Sequence, residues 1–361
     1  MTMTSNLAPV GRRDLHEEWN LALLAGPAPF EFREVPATVP GTLITDLHAA
    51  GLIEDPYLDR NEHDLAWTGE CDALYATTFD WTPTGAEKVD LVAASLDTAA
   101  TVLLNGRRIA EVQNQHRSWR FDVTDALIEG ANHLEIRFAS PLRTARENEK
   151  VLGALPVTGN DLPYNAIRKM ACNFGWDWGP VLVTSGIAGD IGLEEWSGAR
   201  LAEVRPQVIV DEAHGSVDLR ALIERADILD ETAVGLRAQL LDPAGALVDE
   251  ATLQGTDDEL DLRLSAPDPQ LWWPRGYGEQ PLYTVRIDLL DADRALLDSR
   301  VRRIGFRTAG VVEEPDEIGT SFTIVVNDRP ILAKGANWIP DDCFPSRLTA
   351  EAYRASITDA I

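Results

Sequence analysis

Residues 173–180 read Asn-Phe-Gly-Trp-Asp-Trp-Gly-Pro, two tryptophans on either side of one carboxylate, fenced by Gly175, Gly179 and Pro180. Glycine on both flanks with proline behind is turn chemistry, which places Trp176, Asp177 and Trp178 on a shaped loop rather than in a regular strand or helix. An indole plane beside a carboxylate suits a sugar ring, whose C–H face is apolar and whose rim of hydroxyls can donate hydrogen bonds. A competing reading packs both indoles beneath a loop and bonds Asp177 to backbone amides, since aromatic clusters serve cores more often than ligands.

Other reactive side chains give weaker patterns. Asp341 and Asp342 are adjacent, and neighbouring carboxylates on a loop rarely face each other as nucleophile and acid, so a catalytic role for either is the minor reading. The six histidines show no HxxxH or comparable spacing, so no metal site is expected. Cys71, Cys172 and Cys343 are too few and too widely spaced for a disulfide framework or a zinc site, and read as buried free thiols. Nothing in these patterns calls for a cofactor.

The elements that must hold these residues are mostly strands. Leu74–Trp81, Val89–Ala93, Trp119–Val123, His133–Phe138 and Val181–Thr184 alternate between turn residues, and Asn105-Gly106 predicts a type I′ hairpin. One short helix is expected over Thr45–Ala50, closed at Gly51. The first block, residues 1–197, therefore reads as a jelly-roll β-sandwich. A second block, 198–308, alternates across hairpin turns as an immunoglobulin-like β-sandwich would, with Trp272 and Trp273 as loop anchors. In the third block, 309–361, Ile331–Lys334 is continuous enough for a strand buried on both faces. After it, Tyr353, Ile357, Ala360 and Ile361 fall on one face of a helix capped by Thr349. Strand, loop and helix make one βα unit, the start of a (β/α)8 barrel that needs about 250 residues. A lone βα unit cannot bury its strand, so the expectation is a barrel cut short at Ile361.

Composition sets outer limits. A chain of 361 residues with 45% hydrophobic and 25% charged residues can bury large cores in two or three domains. A formal charge of −27 repels nucleic acid and anionic membranes and is indifferent to a neutral ligand. No apolar run approaches the roughly 18 residues of a membrane span, and the N-terminus lacks an apolar leader, so a soluble, cytoplasmic protein is expected.

Four stretches taken together resemble the N-terminal part of a β-mannosidase of glycoside hydrolase family 2. They are VPGTLITDLHAAGLIEDPYLDRNE at 39–62, NFGWDWGP at 173–180, LWWPRGYGEQPLY at 271–283 and KGANWIPDDCFPSR at 334–347. The resemblance implies exo-acting, retaining hydrolysis of terminal β-D-mannosides. Its substrate-binding residues would be Asp177, Trp176 and Trp178, one indole lining the pocket and one packing under the loop, with Asn337 and Trp338 beside them. Both catalytic glutamates would lie beyond Ile361, leaving this chain inactive alone. Asn61 and Glu62 belong to the resembling stretch but read as a solvated loop. A homodimer stays open for the longer enzyme. The alternatives are another family 2 exo-glycosidase, acting on galactosides, glucuronides or glucosaminides, and a free-standing carbohydrate-binding sandwich.

Overall fold

The structure is a computed structural model and describes residues 11–31, 33–156, 162–211, 214–227 and 231–361. Two compact units divide it, one of residues 12–195 with 338–361, the other of residues 196–337 with Gly11.

The first unit contains β1 (Gly11–Asp14), β2 (Trp19–Ala25), β3 (Val35–Ala37), β4 (Asp72–Trp81), β5 (Lys88–Ala93), β6 (Ala99–Leu104), β7 (Arg107–Gln113), β8 (Trp119–Asp122), β9 (Gly130–Phe138), β10 (Phe174–Trp176), β11 (Gly179–Val181) and β12 (Ile191–Trp196). Its helices are α1 (Leu43–Ala49), α2 (Asn61–Asp64), α3 (Pro141–Leu152) and α4 (Ala350–Asp359). A six-stranded sheet in the order β3-β2-β4-β9-β6-β7 and a four-stranded sheet β1-β12-β5-β8 make the sandwich. Period-2 alternation sends Ala73, Tyr75 and Phe79 of β4 and Leu134, Ile136 and Phe138 of β9 to one face, where they share a core with Leu91 and Ile191 of the other sheet. The expected turn is present: Asn105 and Gly106 both take left-handed φ, 53° and 77°, and join β6 to β7.

The second unit has β13 (Ala199–Asp211), β14 (His214–Arg225), β15 (Val234–Leu241), β16 (Leu247–Gly255), β17 (Glu259–Pro267), β18 (Tyr283–Leu290), β19 (Leu296–Ile304), β20 (Ala309–Val312), β21 (Thr323–Val326) and β22 (Arg329–Pro330). Sheets β13-β14-β17 and β16-β15-β18-β19 face a core of their own, and β15 alternates buried and half-buried along its whole length. Trp272 is tied into this unit by its amide, which donates to Phe306 O at 2.8 Å, and by Arg307 stacked 5.5 Å above its ring.

Three sequence expectations are corrected. Val181–Thr184 is not a strand, since β11 ends at Val181. Ile331–Lys334 is not a strand either. After the Asn327-Asp328 turn only Arg329 and Pro330 pair with β21, and Leu332 is 68% exposed. An apolar run forms a doubly buried strand only where neighbours cover both faces, and here only Ile331 is half-buried while 332–334 are exposed. The helix at 350–359 does form, with Thr349 Oγ1 accepting from Ala352 N at 3.2 Å, but Tyr353, Ile357 and Ile361 are exposed rather than packed as a core face.

Candidate functional site

The tryptophan segment is a tight hairpin. β10 and β11 pair Phe174 with Val181 and Trp176 with Gly179, leaving Asp177 and Trp178 as a two-residue turn. Trp176 is thus the last strand residue, not part of an irregular loop. Gly175 makes the ladder feasible: its φ is +89°, and a Cβ there would sit 2.5 Å from Val181 Cγ2.

Trp176 is 40% and Trp178 38% exposed, so each indole is partly open and partly covered and neither is fully buried beneath the turn. Asp177 is exposed, and its carboxylate makes no hydrogen bond or ion pair among the described residues. Two partly exposed indoles and an unengaged acceptor therefore stand together on one turn.

Behind the turn the chain is firmly seated. Lys169 and Asp97 form a fully buried ion pair, and Met170 N donates to Gln115 Oε1 at 2.8 Å, which fixes the approach to the hairpin on the sandwich. Burial pulls the Lys169 ammonium below its usual range, partly offset by Asp97. Leu182 N donates to Asn173 O at 2.9 Å below the ladder, and Asn173 Nδ2 donates to Cys343 O at 3.0 Å. On the other side Glu62 Oε2 accepts from Val181 N at 2.7 Å. Glu62 is therefore a support of the hairpin rather than part of a solvated loop. Sequence reading missed this, because the bond spans 119 positions and no local pattern encodes it.

Residues 338–361 return to the same place. Phe344 is fully buried with Ile44, Leu65, Leu182 and Cys343, and its ring meets Tyr57 edge-on at 6.0 Å. Tyr57 Oη donates to Asp342 Oδ1 at 2.7 Å and accepts from Cys343 N at 3.0 Å. Asp342 also accepts from Phe344 N at 2.8 Å and from the Arg347 guanidinium. With its oxygens so engaged, Asp342 is a clamp and not a free acid. Burial and the Asp342 acceptor push the Tyr57 phenol far up, and burial pushes Cys172 up to about 11 and raises Cys343, so all three stay protonated donors rather than nucleophiles.

Trp338 is 52% exposed; its Nε1 donates to Asp341 Oδ2 at 3.2 Å and its ring lies 6.5 Å from Tyr353. Asn337 is exposed and ends the other compact unit. The structure thus joins Trp176, Asp177 and Trp178 on one turn and puts Trp338 in the segment seated beside the hairpin root. All three cysteines are free and buried. Among the described residues no cluster of three or more His, Cys, Asp or Glu could hold a metal ion, and no helix is long and apolar enough to cross a membrane. Surface grooves are also present elsewhere. One of about 600 Å³ on β13, β14 and β17 is lined by Arg205, Arg220, Arg263, Asp218 and Asp261, an ion-paired sheet face without an aromatic platform.

Comparison with known proteins matches residues 19–189 to a glycosyl hydrolase 2 galactose-binding domain-like family and residues 199–307 to glycosyl hydrolases family 2. The beta-mannosidase B of Emericella nidulans is 33% identical over 351 residues, covering 94% of this chain and 40% of that protein. A crystal structure of a beta-D-mannosidase from Dictyoglomus thermophilum superposes with a TM-score of 0.89 at 33% identity, covering 97% of this chain and 43% of that one. A putative beta-galactosidase from Bacteroides fragilis, at 16% identity and a TM-score of 0.63 over 90% of this chain and 44% of that chain, shares the fold alone. The chain spans about two fifths of the length of the curated relatives it matches.

Proposed function

From a chain that belongs to glycosyl hydrolase family 2 and carries its N-terminal domains, we propose the sugar-binding front part of a β-mannosidase, with the Trp176–Asp177–Trp178 turn as one wall of the −1 subsite. The observation that carries the proposal is the partial exposure of both indoles around an exposed carboxylate that has no partner among the described residues. An indole face covers the apolar C–H face of a pyranose, and Asp177 accepts hydrogen bonds from ring hydroxyls. Charge-assisted bonds of this kind are about twice as strong as neutral ones. Where they tighten as the ring flattens toward an oxocarbenium ion, they lower the barrier without moving a proton.

Bond cleavage with retention needs two carboxyl groups about 5–5.5 Å apart, one as nucleophile and one as acid/base. We assign that pair to sequence the longer relatives carry outside the matched part, and we assign no catalytic residue to this chain. In the same reading the first sandwich is of jelly-roll type, the second immunoglobulin-like, and 309–361 belongs to the opening of a (β/α)8 barrel. Trp338 and Asn337 are the accessory pocket residues, the ligand is a terminal β-mannoside, and the compartment is the cytoplasm.

Asp177→Ala tests the assignment. In an active enzyme carrying this chain, kcat/KM for an aryl β-mannoside should fall about 10²-fold or more, the size seen when one preorganised transition-state contact is removed, with an unchanged melting temperature. Normal turnover with a lowered melting temperature would make Asp177 structural and overturn the subsite.

A further inference from the structure

Glu62 stands 119 positions from Val181 in sequence, yet its Oε2 accepts that residue's amide at 2.7 Å. The recipient hairpin needs such help. Among the described residues β10 and β11 pair only with each other, and an isolated two-stranded ladder is marginal in water. The pose of its turn must then come from what holds its feet. One foot is Asn173, fully buried, bonded through Nδ2 to Cys343 O. The other is Val181, bonded to Glu62.

The carrier of Glu62 is itself braced. α2 packs against β11, and the loop ahead of it is pinned by Asn61 Nδ2 donating to Asp55 O at 2.8 Å and by Tyr57 N donating to Asp55 Oδ1 at 2.9 Å. Tyr57 in turn holds Asp342 and Cys343. Val181 is also the lever arm of the turn. Its Cγ2 presses on Gly175 so closely that no Cβ fits between them, and Gly175 immediately precedes Trp176. A shift of Val181 is therefore transmitted directly to the indole pair and to Asp177.

Resting on the subsite reading above, we infer that Glu62 is a positioning residue for the Trp176–Asp177–Trp178 turn, setting through the Val181 amide the pose in which the two indoles and the carboxylate are presented. It touches no sugar itself. What the hairpin needs from it is an acceptor oxygen at the right reach, so glutamine should serve and alanine should not.

The test compares the whole chain with Glu62→Ala and Glu62→Gln by amide hydrogen exchange and by the indole N–H resonances of Trp176 and Trp178. In Glu62→Ala the Val181 amide should exchange about 10-fold faster or more through local opening, and both indole resonances should move, at a near-wild-type melting temperature. Glu62→Gln should restore both. Unchanged exchange and resonances in Glu62→Ala would overturn the inference, as would a global loss of stability that Glu62→Gln does not rescue. Should the alanine variant fail to fold, Glu62→Asp, which withdraws the acceptor by one methylene, carries the same expectation of faster Val181 exchange. Neither readout needs a ligand. A chain in which Glu62→Ala loosens the turn while Asp177→Ala leaves mannoside binding intact would lose the subsite reading and keep the positioning role.

Discussion

Asp46 sits in the first turns of α1 at 1% exposure, its two oxygens taking Thr38 N and Tyr75 Oη, each at 2.9 Å. Those donors favour the charged form, but burial outweighs them and pushes the carboxyl up to about 6. The sign follows from linkage. The unfolded chain ionises this group near 4 and the folded chain near 6, so between those values the folded state holds more proton and loses stability as pH rises. Above about 6 the contribution is flat. Asp46→Asn removes the titration, so lowering the pH from 6.5 to 4.5 should move the stability difference toward the wild type by about 2 kcal/mol. Parallel denaturant titrations of the two proteins measure it, and a difference constant with pH would show that Asp46 ionises normally. Asp177, by contrast, is an exposed carboxylate with no partner among the described residues. Sequence singled out the second and passed over the first, because turn residues announce themselves locally and burial does not.

At the scale of elements, the β10–β11 hairpin depends on one missing methyl group. Gly175→Ala would place a Cβ at φ +89° and 2.5 Å from Val181 Cγ2, adding backbone strain to a clash. Left-handed strain alone costs about 1 kcal/mol, and the overlap should bring the loss to roughly 2–3 kcal/mol with displaced indoles. Adding Val181→Ala should recover the steric share and leave the backbone share, and no recovery would mean the glycine acts through φ alone. The elements legible in sequence were those with a local code. Asn105-Gly106 specifies its hairpin, Thr349 caps its helix, and the alternation of 74–81 and 133–138 marks β4 and β9. α3 was missed although Ser140 caps it, Pro141 opens it and Gly153 ends it at φ 81°; its apolar side, Leu142 and Ala145, is short within a mostly polar sequence. Ile331–Lys334 was misread because hydrophobicity reports a wish to be covered, not the presence of a cover. The bonds of Glu62 to Val181 and of Asp342 to Tyr57 were illegible because those partners lie far away along the chain.

Over the whole molecule, two large cores and two smaller clusters account for the buried apolar residues described, and the chain leaves the second unit through residues 331–340, which are irregular and, beyond Ile331, exposed. Irregular exposed backbone is where proteases act. Trypsin should cut early after Lys334, and the C-terminal piece should stay with the rest on gel filtration, held by Phe344 and the Tyr57–Asp342 clamp. Immediate loss of that piece would show that the seat is weak. The seat has a further consequence, one of timing. Ile44, Leu65 and Leu182 are synthesised well before Phe344, the residue that covers them. At about 5–20 residues per second the ribosome needs roughly 8–30 s to travel from Leu182 to Phe344. For that interval the nascent first unit, otherwise able to fold, carries an open apolar socket, and a passing chaperone or a neighbouring nascent chain can fill it before its own aromatic plug arrives.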